Sequence, residues 1–596
     1  MTEQKKEIIG GEEVTEKEKF LSLALERFQK LYDAEFHIRE AALEDLKFVY
    51  NVDNGQWPDS VITERENDKR PCLTFNKLRK YVAQVANHER EQRLAGRVRP
   101  VDDKADPDTA KVIEGLIRQI ENASRADETY AEVGEKAIAG GFGYWRLITK
   151  EKDDSFDQEI FIEKIDNQFS VYLDPEKRYG FIRQGMSKKE FENQYPNFDV
   201  SSFDTGIGEE YALWYEPDKV FIAEYFYKEQ YDKTIAQCIN PTTGVSAIIE
   251  LTDEITLETL AANGIQTIRQ KTKKAERVKW AKITAHEILE KNEWVGKDIP
   301  IIEVVGDEVE IGGKKYKRSL IRDGKDPQRV FNYWLTHITE SVALIPKSPY
   351  IVTPQQIKGH EPMWNDANRK TYPYMLYNPI GNEKKPSREP PPQIQAGAAQ
   401  LLQIADQNIP DTIGLFESTR GEKSNERTGI AINLRAARSD FCVYHFHDNF
   451  RRAVVETTRQ LIDIIPKIYD TERQERILGE DGKDEIVPLN QTTRNEATGE
   501  EKIVNDLSVG KYDVVADVRL FATRRQEAAQ MMAETMQGAP NIAPLILDLV
   551  FKYQDFPGAE ELQKRLEKWM PQLMGQKDGQ GSPSQTATTG GESGLE

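Results

Sequence analysis

"GEKSNERTGIAINLRAARSD", residues 421–440, joins a loop of Gly, Lys, Ser, Asn and Arg to the start of a long helical pattern. The "GEKS" is one letter away from the "GKS" of a phosphate-binding loop. Such a loop needs G-x-x-x-x-G-K-[ST] between a strand and a helix, so that backbone N–H groups cradle phosphate. Here Gly414 and Gly421 are too far apart, Glu422 separates Gly421 from Lys423, and the preceding pattern is helical. Nucleotide binding does not fit. Charge is what remains. Arg420, Lys423, Arg427, Arg435 and Arg438 stand against Glu422 and Glu426, a local excess of three positive charges. Two readings follow: a solvated helix entry capped by Ser424 or Thr428, or a mobile, modestly basic loop facing a polyanion.

The helix after the loop sets the architecture. From Ile430 to Ile465 there is neither Gly nor Pro. Ile430, Leu434, Ala437, Phe441 and Tyr444 form an apolar stripe that Phe446, Phe450, Val454, Leu461 and Ile465 continue. Unbroken, this helix is about 54 Å long, unusual within one globular domain and suited to a spar in a larger assembly. Working outward, "DPQRVFNYWLTHITESVALIP" from Asp326 predicts a single helix ended by Pro346. Residues 395–409 read as another, which Pro410 should kink or stop. Between them, 347–394 holds little helix, clusters prolines, and has "YPYMLYNP" as a possible strand. Over 347–393 seven Lys and Arg stand against four Asp and Glu. Helices are expected over 14–50, 74–95, from Asp106–Pro107, over 127–139 and near 253–263. Strands dominate from "GGFGYWRLI" to about residue 325. Residues 471–510 read as a charged hairpin region around "EIVPLN", and "KYDVVADVRL" as a strand. "TRRQEAAQMMAETMQ" and 542–570 read as helices, and the Gly/Ser/Thr-rich tail as disordered.

A chain of 596 residues is too long for one core. It carries a formal net charge of −20, with 38% hydrophobic and 31% charged residues. Most of its surface should repel DNA, so it either ignores nucleic acid or touches it without gripping. No stretch approaches the roughly 20 apolar residues of a membrane helix, and no secretory signal is expected at the N-terminus. Cys72, Cys238 and Cys442 are far apart, so reduced thiols are expected rather than a disulfide framework or a zinc site. The histidines of "HFH" (445–447) point about 200° apart on a helix and cannot share a metal. "GGFGYW" (140–145) leads into a strand and reads as a tight turn, not a dinucleotide fingerprint. No nucleophile-elbow pattern occurs. Carboxylate pairs such as Asp102/Asp103 and Asp153/Asp154 lie in polar stretches. No enzyme, cofactor or metal site is expected.

Several strings, in order along the chain, resemble the portal proteins of tailed phages of the P22 (podovirus) type. They are "RPCLTFNKL" (71–79), "VRPVDDKADPDTA" (98–110), "GGFGYWRL" (140–147), "DPQRVFNYW" (326–334), "YPYMLYNP" (372–379), "SNERTGIAI" (424–432) and "FHDNFRRAV" (446–454). "RRQEAAQMM" through "DFPGAEELQKRL" (524–566) closes the series, which spans roughly residues 55–570. The resemblance implies an α+β portal fold and a cyclic homododecamer at one capsid vertex, through which DNA is packaged and ejected. It assigns 1–325 to an α/β wing, 326–346 to a stem helix, 347–394 to a small clip and 395–416 to a second stem helix. It assigns 417–428 to a tunnel loop, 429–470 to a long helix from channel to wing, 471–530 to wing completion, 531–575 to crown helices and 576–596 to a disordered tail.

The same resemblance implies roles for residues and partners. Arg420, Lys423, Ser424, Asn425, Glu426, Arg427 and Thr428 would form the tunnel loop on double-stranded DNA, with Arg435 and Arg438 on the channel side of the long helix. Lys358, Arg369, Lys370, Lys384, Lys385 and Arg388 would make the clip a docking site for the terminase large subunit and then a head-completion or neck adaptor. Major capsid and scaffolding proteins would be further partners. The protein would be non-enzymatic, without cofactor or membrane contact, assembled in the host cytoplasm and located in the virion at the portal vertex. Departures from the family pattern fall at Pro410, at the basic "LAGRVRPV", and at "LRAARSD", where Gln-rich text is usual.

Overall fold

The computed structural model describes residues 6–517 apart from 10–11, 92–94, 102–104, 153–156, 199–213, 217, 240–245, 253–254, 345–348, 368–369, 382–383, 390–395, 416–428, 479–483 and 495–500, together with 531–532 and 535–536. Along 429–441 only the backbone is described. The predicted segment 542–570, most of "TRRQEAAQMMAETMQ" and the C-terminal tail lie outside the described residues.

The fold mixes helix and sheet. Its long helices are α1 (Glu16–Tyr50), α2 (Leu78–Glu91), α3 (Pro107–Ala123), α4 (Ala126–Gly140), α5 (Lys325–Leu344), α6 (Ala396–Ile413) and α7 (Gly429–Ile468). The starts obey local chemistry. Asp106 caps α3 by accepting from the N–H of Asp108 at 3.0 Å, with Pro107 in the first helical position. Gly141, at φ +93°, ends α4 and opens the strand Phe142–Glu151, the tight turn expected of "GGFGYW".

α1 buries Leu21, Ala24, Leu25, Phe28 and Leu31 against a seven-stranded sheet through Phe181, Tyr225 and Trp214. Leu23 and Leu43 on the same helix are exposed. The sheet's spine runs Ile288–Glu293, Gln266–Ile283, Lys219–Ile239, Tyr179–Ser187, Val171–Leu173, all antiparallel. A three-stranded sheet (Ile301–Val305, Phe142–Glu151, Gln158–Lys164) packs with α3, α4 and the C-terminal half of α7. There the Trp145 indole donates to Thr457 Oγ1 at 2.8 Å in the interior.

The chain closes on itself over a long sequence distance. Ala95–Pro100 pairs antiparallel with Tyr512–Asp517, from Ala95↔Asp517 to Pro100↔Tyr512. The "AGRVRP" of the basic departure is therefore a strand. Within the charged region 471–510, Arg473–Leu478 pairs antiparallel with Asp484–Leu489.

Two expectations are corrected. Of the two outcomes expected at Pro410, a kink or a stop, the stop does not occur: α6 runs on to Ile413 and closes at Gly414, whose φ is +82°. Proline deprives the Asp406 carbonyl of its donor, but Ile409 and Ile413 are buried on either side and hold the last turn down. The second correction is "YPYMLYNP", which is no strand. Pro373 and Pro379 lack N–H groups, and Asn378 N–H goes instead to the carbonyl of Gln356 at 2.8 Å. The short pairing in this region is Tyr350–Ile351 with Ser387–Arg388.

Candidate functional site

α5 and α6 run antiparallel, with Gly324 at the start of α5 against Ile413 at the end of α6; a Cβ there would come within 3.0 Å of both Ile413 and Leu78. One end of the pair leads into residues 349–389. The other leads towards 416–428 and α7.

α5 presents a buried polar stripe at four-residue spacing: Gln328, Asn332, Thr336 and Glu340. An extended segment from Pro71 to Lys77 lies along it. The N–H of Lys77 donates to Gln328 Oε1 at 3.0 Å, that of Phe75 to Asn332 Oδ1 at 3.0 Å, and that of Leu73 to Thr336 Oγ1 at 3.3 Å. Gln328 Nε2 returns a bond to the carbonyl of Phe75 at 2.8 Å. The match is geometric. Two residues of extended chain advance about 6.6 Å and four residues of helix about 6 Å, so the two periods stay in step. Two of the strings that carry the resemblance, "RPCLTFNKL" and "DPQRVFNYW", thus meet as one interface.

Charge clamps both ends of this seam. At the N-terminal end the fully buried Asp45 of α1 accepts from Ser319 Oγ at 2.7 Å and Arg322 at 2.6 Å, and pairs with Lys325 Nζ at 2.5 Å. Burial opposes ionisation of neighbouring Glu44, but Lys325 and Arg329 outweigh it and hold that carboxyl below its ordinary value. At the other end Glu340 binds Arg65 and, at 2.8 Å, Arg70. Arg65 also donates to the carbonyl of Pro71 at 2.9 Å. α6 is held by Ala405, Ile409 and Ile413 in a common core with Phe331 and Leu78, and by a Lys77–Asp406 ion pair.

Among the described residues of 349–389, bonds to carbonyls rather than a buried apolar cluster hold the segment. Gln356 Nε2 donates to Lys384 O at 2.9 Å, Trp364 Nε1 to Leu376 O at 2.8 Å, and Asn378 Nδ2 to Lys358 O at 2.7 Å. The cations predicted here divide. Lys370 is paired with Asp366 at 2.6 Å, and Arg388 stacks 5.1 Å over Tyr350. Lys358, Lys384 and Lys385 are exposed and make no ion pair among the described residues. Arg369 lies outside the described residues. Tyr374 and Leu376, 70% and 48% exposed, add an apolar component.

Arg420, Lys423, Ser424, Asn425, Glu426, Arg427 and Thr428 lie outside the described residues, so only the flanks of their loop are placed. Leu415 is buried, and a Cβ on Gly414 would sit 2.9 Å from that of Cys442. The α7 backbone runs on beyond this junction to Gly429, carrying Arg435 and Arg438 about one turn apart.

"HFH" serves two separate contacts. His445 lies 3.8 Å from Asp307, and burial lowers its pKa. His447 Nδ1 lies 3.4 Å from the buried Glu89, whose carboxyl burial pushes up. Among the described residues no three His, Cys, Asp or Glu side chains are grouped to hold a metal, and no helix is long and apolar enough to cross a membrane. The polar stripe of α5 escaped the sequence reading, although its four-residue spacing is visible in "QRVFNYWLTHITE".

Residues 25–589 match the family model described as phage P22-like portal protein. A curated relative named portal protein, from Acyrthosiphon pisum secondary endosymbiont phage 1, is 27% identical over 534 residues, which cover 85% of this chain and 74% of that protein.

Proposed function

The chain belongs to the phage P22-like portal protein family, and from that premise we propose that it forms a homododecameric ring at one capsid vertex through which DNA is packaged and ejected. The family match over nearly the whole chain carries this reading. In it, α5 and α6 are the stem, 347–394 the clip, 417–428 the tunnel loop and α7 the helix from channel to wing. Residues 1–325 and 471–530 make the wing, and 531–575 the crown. The role is structural rather than enzymatic, in keeping with the failed phosphate-loop pattern.

Three features support it. α6 offers solvent no cation: its exposed polar residues include Gln400, Gln403, Gln407, Asn408 and Asp411. Amides and an acid beside a sliding polyanion avoid the counterion-release attraction that lysines and arginines would create. The net charge of −20 acts in the same sense. The basic loop 417–428, with Arg435 and Arg438, supplies weak, salt-screened contacts at one level. The exposed Lys358, Lys384 and Lys385 beside Tyr374 and Leu376 make the clip a surface for the terminase large subunit and then a neck adaptor. Major capsid and scaffolding proteins would surround the ring as it assembles in the host cytoplasm.

The test is native mass and symmetry of the purified chain as a function of concentration. Twelve copies of a 68.3 kDa chain come to about 820 kDa. A closed ring with a hole near the width of duplex DNA is expected. A chain that stays monomeric at every concentration, and when co-expressed with its capsid proteins, overturns the reading. Within an assembled ring, Arg427→Glu should lower packaged DNA while leaving ring formation intact. Unchanged packaging would remove DNA attraction from the loop's role.

A further inference from the structure

The strands Lys219–Ile239 and Gln266–Ile283 pair along their whole shared length, from Ala223↔Ile283 to Ile239↔Gln266. Among the described residues only the inner end of the second strand has another neighbour, Ile288–Glu293, which reaches no further than Lys279. Beyond it the outer edge of 266–277 carries no strand among the described residues. Every residue from Gln266 to Lys274 is exposed. The ten residues from 266 to 275 span about 34 Å. Ser246–Leu251 pairs with the far side of the ribbon, and the short helix Leu257–Ala262 covers one face through Leu260 on Ala236 and Cys238.

The other face is open and basic. Ala236 is opposite Gln270, so Gln270 and Thr272 share the helix-covered face, while Arg269, Lys271 and Lys273 lie on the open one. Residues 266–277 hold five Lys and Arg against one Glu, whereas the whole chain carries −20. Two of the five are occupied: Arg277 by Glu229 at 2.8 Å, and Arg269 by the neutral amide of Gln237 at 2.7 Å. Lys271, Lys273 and Lys274 make no ion pair among the described residues. Lys273 stands opposite Lys233, a like-charge cross-strand pair that opposes folding. Glu250 relieves Lys233 only. An edge lysine ordinarily guards a strand against pairing with another edge. One or two would suffice for that; on the open face Arg269, Lys271 and Lys273, three cations within five residues, make no ion pair among the described residues, whereas Lys274 lies on the helix-covered face opposite Asp232.

We propose that this open basic face is a docking surface for the acidic surface of a second copy of the chain, so that the ribbon of one subunit reaches onto its neighbour. The inference rests on the ring reading above. Copies carrying −20 each repel one another, and side-by-side association needs local contacts of opposite sign. The ribbon supplies the positive half. The contact is heterologous, as a cyclic ring requires. Symmetric edge-to-edge pairing would set lysine against lysine and is disfavoured.

The experiment uses the full chain and two variants: Lys271→Glu/Lys273→Glu, and the same two residues changed to Gln. Assembly is followed by mass photometry against protein concentration, at low salt and at raised salt. Both residues are exposed and make no ion pair among the described residues, and replacing Lys273 removes its like-charge pair with Lys233, so the variant monomers should melt no lower than the wild type. The Glu variant should need about tenfold more protein to assemble, the Gln variant less than that, and raised salt should weaken the wild type towards the variants. Carbodiimide coupling of mixed light and heavy-isotope subunits should join Lys271 or Lys273 to a carboxylate of the other isotope. Variants that assemble as the wild type does overturn the ribbon contact and leave the ring reading intact. A wild type that never assembles overturns both. Unchanged assembly with lost retention of a fluorescent duplex would make the ribbon a nucleic-acid surface, and also overturns the proposal.

Discussion

α5 and the ribbon of 219–239 with 266–283 both set polar side chains at a regular spacing, and they use them in opposite ways. On α5 the polar groups are buried, and each meets a named partner: the backbone of 73–77, Asn332 to Gln56 at 2.7 Å, Glu340 to Arg65 and Arg70. On the outer ribbon the side chains are solvated, and several have no partner among the described residues. A buried polar group without its bond is costly. The α5 seam therefore fixes register and can be broken by single changes. A solvated lysine loses little when it is alone. The ribbon therefore has freedom to serve an external contact that α5 lacks.

The largest effect should come where charge is deepest. Asp45→Ala leaves Lys325, whose side chain is 9% exposed, without its main partner at the head of α5. Removing one member of a buried ion network costs about 3–5 kcal/mol. A urea titration followed by tryptophan fluorescence should show the midpoint fall accordingly. A loss below about 1 kcal/mol would mean that the seam tolerates an open end and that the contrast with the ribbon is overstated. Asn332→Ala is next. It strands the N–H of Phe75 and the amide of Gln56, and should cost about 1–3 kcal/mol. Faster hydrogen exchange confined to 71–77 would show that the damage travels along the extended segment.

Glu121 lies between the two regimes. It is partly exposed on α3, near the Tyr130 hydroxyl at 3.3 Å, yet burial pushes its carboxyl up to about 7. Folding therefore favours the protonated form. Its stabilisation is present at low pH and is lost as pH rises from the unfolded carboxyl's value near 4.5 through about 7. Between pH 5 and pH 8 the wild type should lose about 2 kcal/mol relative to Glu121→Gln, whose profile should be flatter over that window. Parallel profiles would place this carboxyl with the solvated charges.

The sequence made the periodic elements legible and left the long-range pairings closed. The buried run Phe446, Phe450, Val454, Leu461 and Ile465 of α7, the Asp106–Pro107 start of α3 and the turn at Gly141 follow from spacing and backbone chemistry within a few residues, although Tyr444 of the expected stripe is exposed. The closing strand could not follow in that way, because Ala95–Pro100 finds Tyr512–Asp517 more than 400 residues away. Pro410 misled because proline's local penalty is one hydrogen bond, and burial of Ile409 and Ile413 exceeds it. The α5 seam was half legible: the polar spacing is in the text, but the extended segment that reads it is not. The ribbon's basic run was equally open to view, yet only the pairing shows which lysines share an open face. For the candidate site, the clip cations proved unequal once partners were known. Lys370 and Arg388 are engaged within the chain, which composition alone cannot reveal.

The smallest expected effect draws the contrast most sharply. Lys233 and Glu250 form an ion pair across the ribbon, with side chains 34% and 36% exposed. A double-mutant cycle through Lys233→Ala and Glu250→Ala isolates their coupling from the cost of losing each side chain. Solvent screening and the entropy of holding two long side chains should keep it below about 1 kcal/mol, and raised salt should shrink it further. Lys273 should account for part of what remains. With Glu250 gone, Lys233 faces Lys273 unrelieved, so Glu250→Ala carries a repulsion that Lys233→Ala removes. The cycle should therefore report coupling that falls when Lys273→Ala is introduced in the background. That fall would identify Lys273 as a charge the fold itself leaves uncompensated, which is the condition for its use between subunits. A coupling above about 2 kcal/mol, insensitive to salt and to Lys273, would instead place the ribbon with the buried seam of α5 and remove the distinction between the two regions.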